Sequence, residues 1–181
     1  LDNAAGHYAT QPAQRGPALS RGRAHQRHRR VRIGEVVTGK SSAGALCAKR
    51  LERKFVDTDH MVEEAAGISV ARIFATLGEN EFRELERRAV SAASASEAPL
   101  VISCGGGVAI DPVNQEALRE SGYVVWLDAP IPELAERATR KSGARPLLAE
   151  GDPVATLQAL SEVRYGAFEA MADLRIDTAG L

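Results

Sequence analysis

Apolar runs of strand length alternate with longer amphipathic stretches from residue 31 to the end of the chain. The stretches between the runs carry apolar residues near helical spacing, which predicts helices. Asp111-Pro112 and Asp152-Pro153 are typical helix starts, with an acceptor side chain at the N-cap and Pro at the first helical position. We expect strands at 31–33, 54–59, 100–104, 123–129 and 174–177, and helices at 41–53, 60–66, 69–77, 79–97, 112–121, 132–141 and 153–171.

Strands separated by helices predict βαβ units with right-handed crossovers. The stretch 123–129, YVVWLDA, is apolar almost throughout, as is typical of a strand in a parallel sheet covered on both faces. The expected fold class is therefore α/β, with a central parallel sheet of about five strands and helices on both faces. Ligands of such sheets bind beyond the carboxyl ends of the strands. Asp57 and Asp59, and the glycines after 100–104, are expected there.

The composition is that of an ordinary globular domain, with 181 residues, 44% hydrophobic and 26% charged. No apolar run approaches the roughly 18 residues needed to cross a bilayer, so no membrane association is expected. The two cysteines, Cys47 and Cys104, stand in unrelated contexts, which favours neither a disulfide framework nor a zinc site. A cytoplasmic location is expected.

Residues 1–30 differ from the rest of the chain. They carry six arginines against one acid, and they lack apolar periodicity. Such a segment cannot bury enough surface to fold, so we expect a disordered basic leader followed by one domain over 31–181. A transit peptide and a nucleic-acid arm are possible interpretations, but an artefactual extension is favoured, and no nucleic-acid partner is expected.

A glycine loop follows the first expected strand. Residues 34–41, GEVVTGKS, satisfy the pattern G-x-x-x-x-G-K-[ST] between a strand and a helix, which predicts a P-loop. Loop N–H groups and the helix N-terminus would hold phosphates, Lys40 would bridge the terminal phosphates, and the Ser41 hydroxyl would ligate Mg²⁺. The alternative is a glycine-rich turn with an exposed lysine. Val37 is foreign to such a loop, and it is expected to weaken nucleotide binding if its position needs a positive φ.

Five segments in order resemble the shikimate kinase family of P-loop small-molecule kinases over about residues 31–178. They are GKSSAGALCAKRL (39–51), FVDTD (55–59), EFRELE (81–86), CGGGVAIDP (104–112) and ARPLLA (144–149). The resemblance implies a three-layer P-loop NTPase-type fold with a small lid. It also implies ATP- and Mg²⁺-dependent phosphorylation of the 3-hydroxyl of shikimate, in aromatic amino-acid biosynthesis, by a monomer.

The resemblance assigns roles to the acceptor half of the site. Asp59 would orient the substrate hydroxyl and take its proton, and Asp57 would act at Mg²⁺; an acid at a strand end can also simply cap the next helix, as Asp59 could. Arg83 would bind the substrate carboxylate, since arginine grips carboxylates bidentately, with Glu86 holding it in place. A surface ion pair is the alternative for this arginine. Gly106, Gly107 and Arg164 complete the expected substrate site.

The donor half is expected to combine the glycine loop with two arginines. Arg145 in the lid would reach the transferring phosphates, and Arg137 would stack on adenine. The expected nucleotide-binding set is Gly34, Val37, Thr38, Gly39, Lys40, Ser41, Ser42, Arg137 and Arg145, with Ser41 and Asp57 at the metal. The family continues past the last strand, whereas this sequence stops at DTAGL, so a C-terminal truncation is expected.

Two other functions stay open from the sequence. A sugar-acid kinase of the gluconate kinase type would use the same donor chemistry on another acidic acceptor. A degenerate module that binds nucleotide or shikimate without catalysis would also fit, because the departures cluster in the donor half.

Overall fold

Five short strands form one parallel sheet in the computed structural model of the chain, which describes residues 31–34, 39–140 and 152–180. The strands are β1 (Val31–Gly34), β2 (Lys54–Asp57), β3 (Leu100–Ser103), β4 (Tyr123–Asp128) and β5 (Leu174–Asp177). They lie in the order β2-β3-β1-β4-β5, and every neighbouring pair is parallel. The expected sheet is confirmed, and β1 lies at its centre.

Each expected helix is present among the described residues. The helices are α1 (Lys40–Arg50), α2 (Thr58–Ala66), α3 (Val70–Thr76), α4 (Gly78–Ala95), α5 (Pro112–Ser121), α6 (Ile131–Arg140) and α7 (Pro153–Met171), with a short 3-10 turn at Val108–Ile110. Asp111 and Asp152 accept from the N–H groups of Val113 and Val154, so both predicted helix starts are confirmed as capped ends. No helix in the described part of the chain is long and apolar enough to cross a membrane.

The helix predicted to reach residue 53 ends at Arg50, and the boundary between β2 and α2 differs from the prediction for a local reason. The strand expected to reach residue 59 ends at Asp57, and the helix expected at 60 begins at Thr58. The Asp57 side chain accepts from the backbone N–H of Asp59 at 3.0 Å and so caps α2. The alternative role considered for Asp59, a helix cap, therefore belongs to Asp57.

The sheet is covered on both faces. On one face α1 contributes Ala48, which packs with Val101, Val125 and Leu127. The other face carries a larger core, in which Val90 of α4, Leu118 of α5 and Phe168 of α7 surround Ile102 and Trp126. Val101 and Ile102 are adjacent in β3 and both fully buried, on opposite faces, because successive strand residues alternate. This is the expected three-layer arrangement.

The register brings the carboxyl ends of the strands to one edge of the sheet. Asp57 lies opposite Ser103, which in turn lies opposite Ile33, and Asp128 lies opposite Asp177. Because β1 is flanked by β3 and β4, the chain turns to opposite sides of β1 at this edge, which is where ligands of open α/β sheets bind. The fold therefore places the loop that follows β1 beside the ends of β2 and β3.

Several expectations fall outside the described residues. These are the basic leader at 1–30, Val37 and Thr38 in the glycine loop, and Arg145 with the rest of the lid segment. The division at residue 30 and the expected truncation stay predictions.

Candidate active site at the carboxyl edge of the sheet

The N-terminus of α1 is built to receive an anion. Gly39 precedes the helix with φ 82°, a left-handed conformation that favours glycine, and no described side chain caps the first N–H groups. The first turn contains no acidic residue and begins with Lys40 and Ser41. Uncapped N–H groups, the positive end of the helix and a lysine together attract phosphate. Gly34 is the last residue of β1, one residue beyond the strand predicted over 31–33, and Ser42 lies in the first turn of α1.

Ser41 and Asp57, the two predicted metal ligands, are in direct contact. The Ser41 hydroxyl donates to Asp57 Oδ2 at 2.8 Å, while Asp57 Oδ1 is held by the N–H of Asp59. A hydroxyl beside a carboxylate is a donor set that suits Mg²⁺, which takes few protein oxygens and completes its shell with water and phosphate. Among the described residues, no group of three or more His, Cys, Asp or Glu side chains is placed so that it could hold a metal ion.

Asp59 lies against the glycine turn after β3. A β-carbon placed on Gly105 would come within 2.8 Å of Asp59 Oδ1, so the carboxylate occupies the space that a side chain would need. Burial raises the pKa of Asp59, the Lys40 ammonium opposes this, Asp57 and Glu63 raise it further, and Arg83 lowers it. The Lys40 ammonium is therefore close enough to the Asp59 carboxylate to act on its charge.

Arg83 of α4 is held between two carboxylates. Its Nη1 donates to Glu86 Oε2 at 2.8 Å, and its Nε and Nη2 donate to Glu79 Oε1 at 3.2 and 2.9 Å. The Glu86 side chain is 2% exposed and that of Arg83 is 22% exposed. The alternative of a surface ion pair is therefore wrong for Arg83–Glu86, since both partners lie largely below the surface.

Glu86 connects Arg83 to the centre of the site. Burial raises its pKa, the hydrogen bond and charge of Arg83 lower it, the Asp59 charge raises it and the Arg164 charge lowers it. Arg164 comes from α7, far along the chain, and only 2% of its surface is exposed. The buried Arg164 guanidinium and the partly buried Arg83 guanidinium thus both act on Glu86, and arginine is the side chain best suited to bind a substrate carboxylate.

The glycine turn holds these side chains more directly than the sequence indicated. A β-carbon on Gly107 would come within 2.1 Å of Arg83 Nη1, so the space expected for a substrate ring beside this glycine is taken by the guanidinium. Gly106 lies between Gly105 and Gly107 in the same buried turn. Sequence reasoning missed Gly105 and Thr58, whose buried hydroxyl accepts from the Gly105 N–H at 3.4 Å. The signal for Gly105 was its place as the first of the three glycines, and that for Thr58 was its position between Asp57 and Asp59.

Arg137 lies apart from this cluster, beside the end of β5. It donates through Nη1 to Thr178 Oγ1 at 3.2 Å and through Nη2 to the Thr178 carbonyl at 2.6 Å, and it pairs with Glu133. The structure therefore brings Lys40, Ser41, Asp57, Asp59, Gly106, Gly107, Arg83 and Arg164 to one region, and it places Arg137 on the other side of β1 in the sheet order.

Comparison with known proteins indicates one family along most of the chain. A family model described as shikimate kinase matches residues 37–181. A shikimate kinase of Symbiobacterium thermophilum is 45% identical over 150 residues, which cover 82% of this chain and 85% of that protein.

Solved structures of shikimate kinases also resemble this chain. Shikimate kinase from Acinetobacter baumannii, solved in complex with shikimate, has a TM-score of 0.78 and 30% identity over 84% of this chain and 85% of that one. A gluconokinase from Sinorhizobium meliloti has a TM-score of 0.58 at 23% identity over 86% of this chain and 85% of that one, which indicates a shared fold alone.

Proposed function

The chain belongs to the shikimate kinase family, and from this premise we propose how its own residues carry out the ATP-dependent phosphorylation of the 3-hydroxyl of shikimate. ATP and Mg²⁺ are the family's donor and metal. The shared membership in the family also decides between the acceptors considered from the sequence, in favour of shikimate over a sugar acid.

The acceptor half uses Asp59, Arg83 and Arg164. Asp59 receives a hydrogen bond from the reacting hydroxyl, orients it and takes its proton as the phosphoryl group is transferred. Arg83 and Arg164 bind the substrate carboxylate, and Glu86 fixes the direction of Arg83 through its 2.8 Å hydrogen bond. The substrate thereby lies between a proton acceptor and a cationic anchor.

The donor half uses the start of α1. The N–H groups after Gly39 and the Lys40 ammonium bind phosphate oxygens and neutralise charge that develops on them. Ser41 and Asp57 would hold Mg²⁺, which supplies further charge neutralisation when it is bound. The roles of Val37, Thr38, Ser42, Arg137 and Arg145 at the nucleotide stay predictions from the resemblance.

One observation supports this assignment above the others. The glycine turn packs against Asp59 at Gly105 and against Arg83 at Gly107, two residues apart, so a proton acceptor and a carboxylate anchor are fixed to the same rigid turn. The Lys40 charge acts on the same Asp59. Phosphoryl transfer depends mainly on positioning and charge stabilisation, and both are provided here.

The test is acceptor-dependent ADP release. Wild-type protein with MgATP should release ADP when shikimate is added, and gluconate should neither replace nor inhibit it. Asp59→Asn should lower kcat by about a hundredfold to ten-thousandfold, because it removes the proton acceptor. Glu64→Gln, an exposed change on the same helix, is the matched control. Release that needs gluconate, or shikimate binding without turnover, would contradict the proposal.

The cytoplasmic location, the monomeric state and the absence of a nucleic-acid partner also belong to the proposal. They derive from the resemblance and the composition, and light scattering of the purified chain would check the monomer.

A further inference from the structure

The guanidinium of Arg83 is engaged by two carboxylates of its own helix. An arginine has five N–H donors. In the described structure three of them are used: Nε and Nη2 donate to Glu79 Oε1, and Nη1 donates to Glu86 Oε2. One donor remains on each of Nη1 and Nη2, so an incoming carboxylate meets a cation that two other carboxylates share.

The two carboxylates are not equivalent. Glu86 is buried, with 1% of its surface exposed, and it lies against Gly105 together with Asp59. Glu79 lies in the first turn of α4, and its side chain is 60% exposed. An exposed ion pair four residues apart on a helix contributes little to stability, so Glu79 can turn into water at little cost.

The charge balance around Arg83 shows what Glu79 does to an acidic ligand. The carboxylates of Glu79 and Glu86 both accept from the single guanidinium of Arg83, so the anions in direct contact with this cation already outnumber it. A substrate carboxylate adds another negative charge. Glu86 and Asp59 are fixed by burial and packing, whereas Glu79 contributes charge and no packing in the interior.

We propose that Glu79 competes with the substrate's carboxylate for Arg83 and so sets the affinity of the site for its acidic substrate. The carboxylate either displaces Glu79 from the Nε edge or takes the two remaining donors beside it. In the first case the ion pair between Arg83 and Glu79 must be broken. In the second case the carboxylates of Glu79 and the substrate repel each other on one guanidinium, so Glu79 opposes binding in both. This inference rests on the proposed function, since it takes Arg83 as the carboxylate anchor.

Glu79→Gln is the decisive variant. Glutamine keeps an acceptor oxygen that can still orient Arg83, but it removes the charge. If Glu79 only oriented Arg83, the change would therefore not tighten shikimate binding. The matched control is Glu81→Gln, which makes the same change two residues away, in the same helical turn, at an exposed residue for which no described contact with Arg83 exists.

Titration calorimetry with shikimate in the absence of nucleotide gives the first readout. We expect Glu79→Gln to bind shikimate roughly threefold to tenfold more tightly than the wild type at low salt, with a smaller gain at high salt. Glu81→Gln should stay within about twofold, as expected for a charge outside the pair. In the assay the gain should lie in the KM for shikimate, with kcat unchanged.

The methyl ester of shikimate provides the second readout. It lacks the negative charge, so Glu79→Gln should change its affinity no more than Glu81→Gln does. Equal or weaker shikimate binding by Glu79→Gln, in a wild type that binds shikimate normally, would overturn this inference and leave the proposed function standing. A wild type that neither binds nor phosphorylates shikimate would overturn both.

Discussion

Glu86 is a buried carboxyl group whose charge is costly to the folded chain. Burial raises its pKa above the ordinary value of 4.5, and the Arg83 hydrogen bond only partly opposes this. A group whose pKa is higher in the folded state than in the unfolded state binds protons more tightly when folded. The free energy of unfolding contributed by Glu86 is therefore greatest below the ordinary pKa and is lost as the pH rises through the raised one.

We expect Glu86→Gln to remove this pH dependence. Glutamine can still accept from Arg83, but it does not ionise, so the variant should lack the loss of stability that the wild type shows as the pH rises. Urea unfolding of both proteins at a series of pH values checks this. The difference in unfolding free energy should favour the variant increasingly from acid to neutral pH.

Glu84→Gln is the control for this measurement, because Glu84 is partly exposed on the same helix and pairs with Arg87 and Arg88. This variant should not gain stability over the wild type as the pH rises, because it removes a charge that two arginines stabilise. The Glu86 interpretation is wrong if the two variants show the same profile.

Among the elements, the glycine turn between β3 and the 3-10 turn controls the acceptor half through two different residues. A methyl group on Gly105 would meet Asp59 Oδ1 at 2.8 Å, and one on Gly107 would meet Arg83 Nη1 at 2.1 Å. Because neither distance is tolerated, each substitution must displace the side chain that it meets.

The two alanine variants are therefore expected to change different kinetic constants. Gly105→Ala should mainly lower kcat, by about tenfold or more, because it moves the proton acceptor. Gly107→Ala should mainly raise the KM for shikimate, by about tenfold or more, because it moves the carboxylate anchor. Steady-state kinetics with shikimate varied at saturating ATP measures both.

Gly166→Ala is the matched control. Gly166 lies within α7, and a β-carbon there would have no neighbour within 4 Å. We expect unchanged kinetics and a gain of about 0.5–1 kcal/mol in unfolding free energy, since alanine is the better helix former. Equal kinetic losses in all three variants would contradict the separate roles of Gly105 and Gly107.

The elements themselves could be predicted from the sequence because local signals mark them. Two helix starts are predicted by Asp111-Pro112 and Asp152-Pro153, and in the structure both aspartates cap their helices. The Asp57–Asp59 stretch was misjudged because either acid can cap a helix, and only the backbone decides which one does. At this boundary two residues of the same type compete, and the sequence does not decide between them.

The contacts within the site were harder to predict from the sequence than the helices and strands. Glu79 and Glu86 both stand at helical spacing from Arg83, but spacing does not reveal that one is exposed and the other buried. Gly105 and Gly107 belong to one run, and their separate partners depend on how α2 and α4 approach β3. Such packing is a tertiary property, so the sequence predicted which residues meet better than it predicted what each one does there.

At the scale of the whole molecule, the segment after the last strand, β5, contacts helix α6, which comes earlier in the chain. Glu133 and Arg137 of α6 both contact the segment after β5: Glu133 Oε1 accepts from the Gly180 N–H at 3.1 Å, and Arg137 donates to Thr178. Thr178 in turn donates to the Asp128 carbonyl at the end of β4. This arrangement fixes Arg137 at the edge of the sheet where the nucleotide half is proposed.

Glu133→Ala should therefore affect the donor half alone. It removes the acceptor shared by Arg137 and Gly180, so the proposed adenine contact loses its support and the KM for ATP should rise roughly threefold to tenfold. The KM for shikimate should stay constant, because Asp59 and Arg83 lie on the other side of β1. Glu162→Ala, at an exposed position on α7, is the control. An unchanged KM for ATP alongside a lowered unfolding free energy would mean that these contacts only anchor the chain, and Arg137 would lose its place in the nucleotide site.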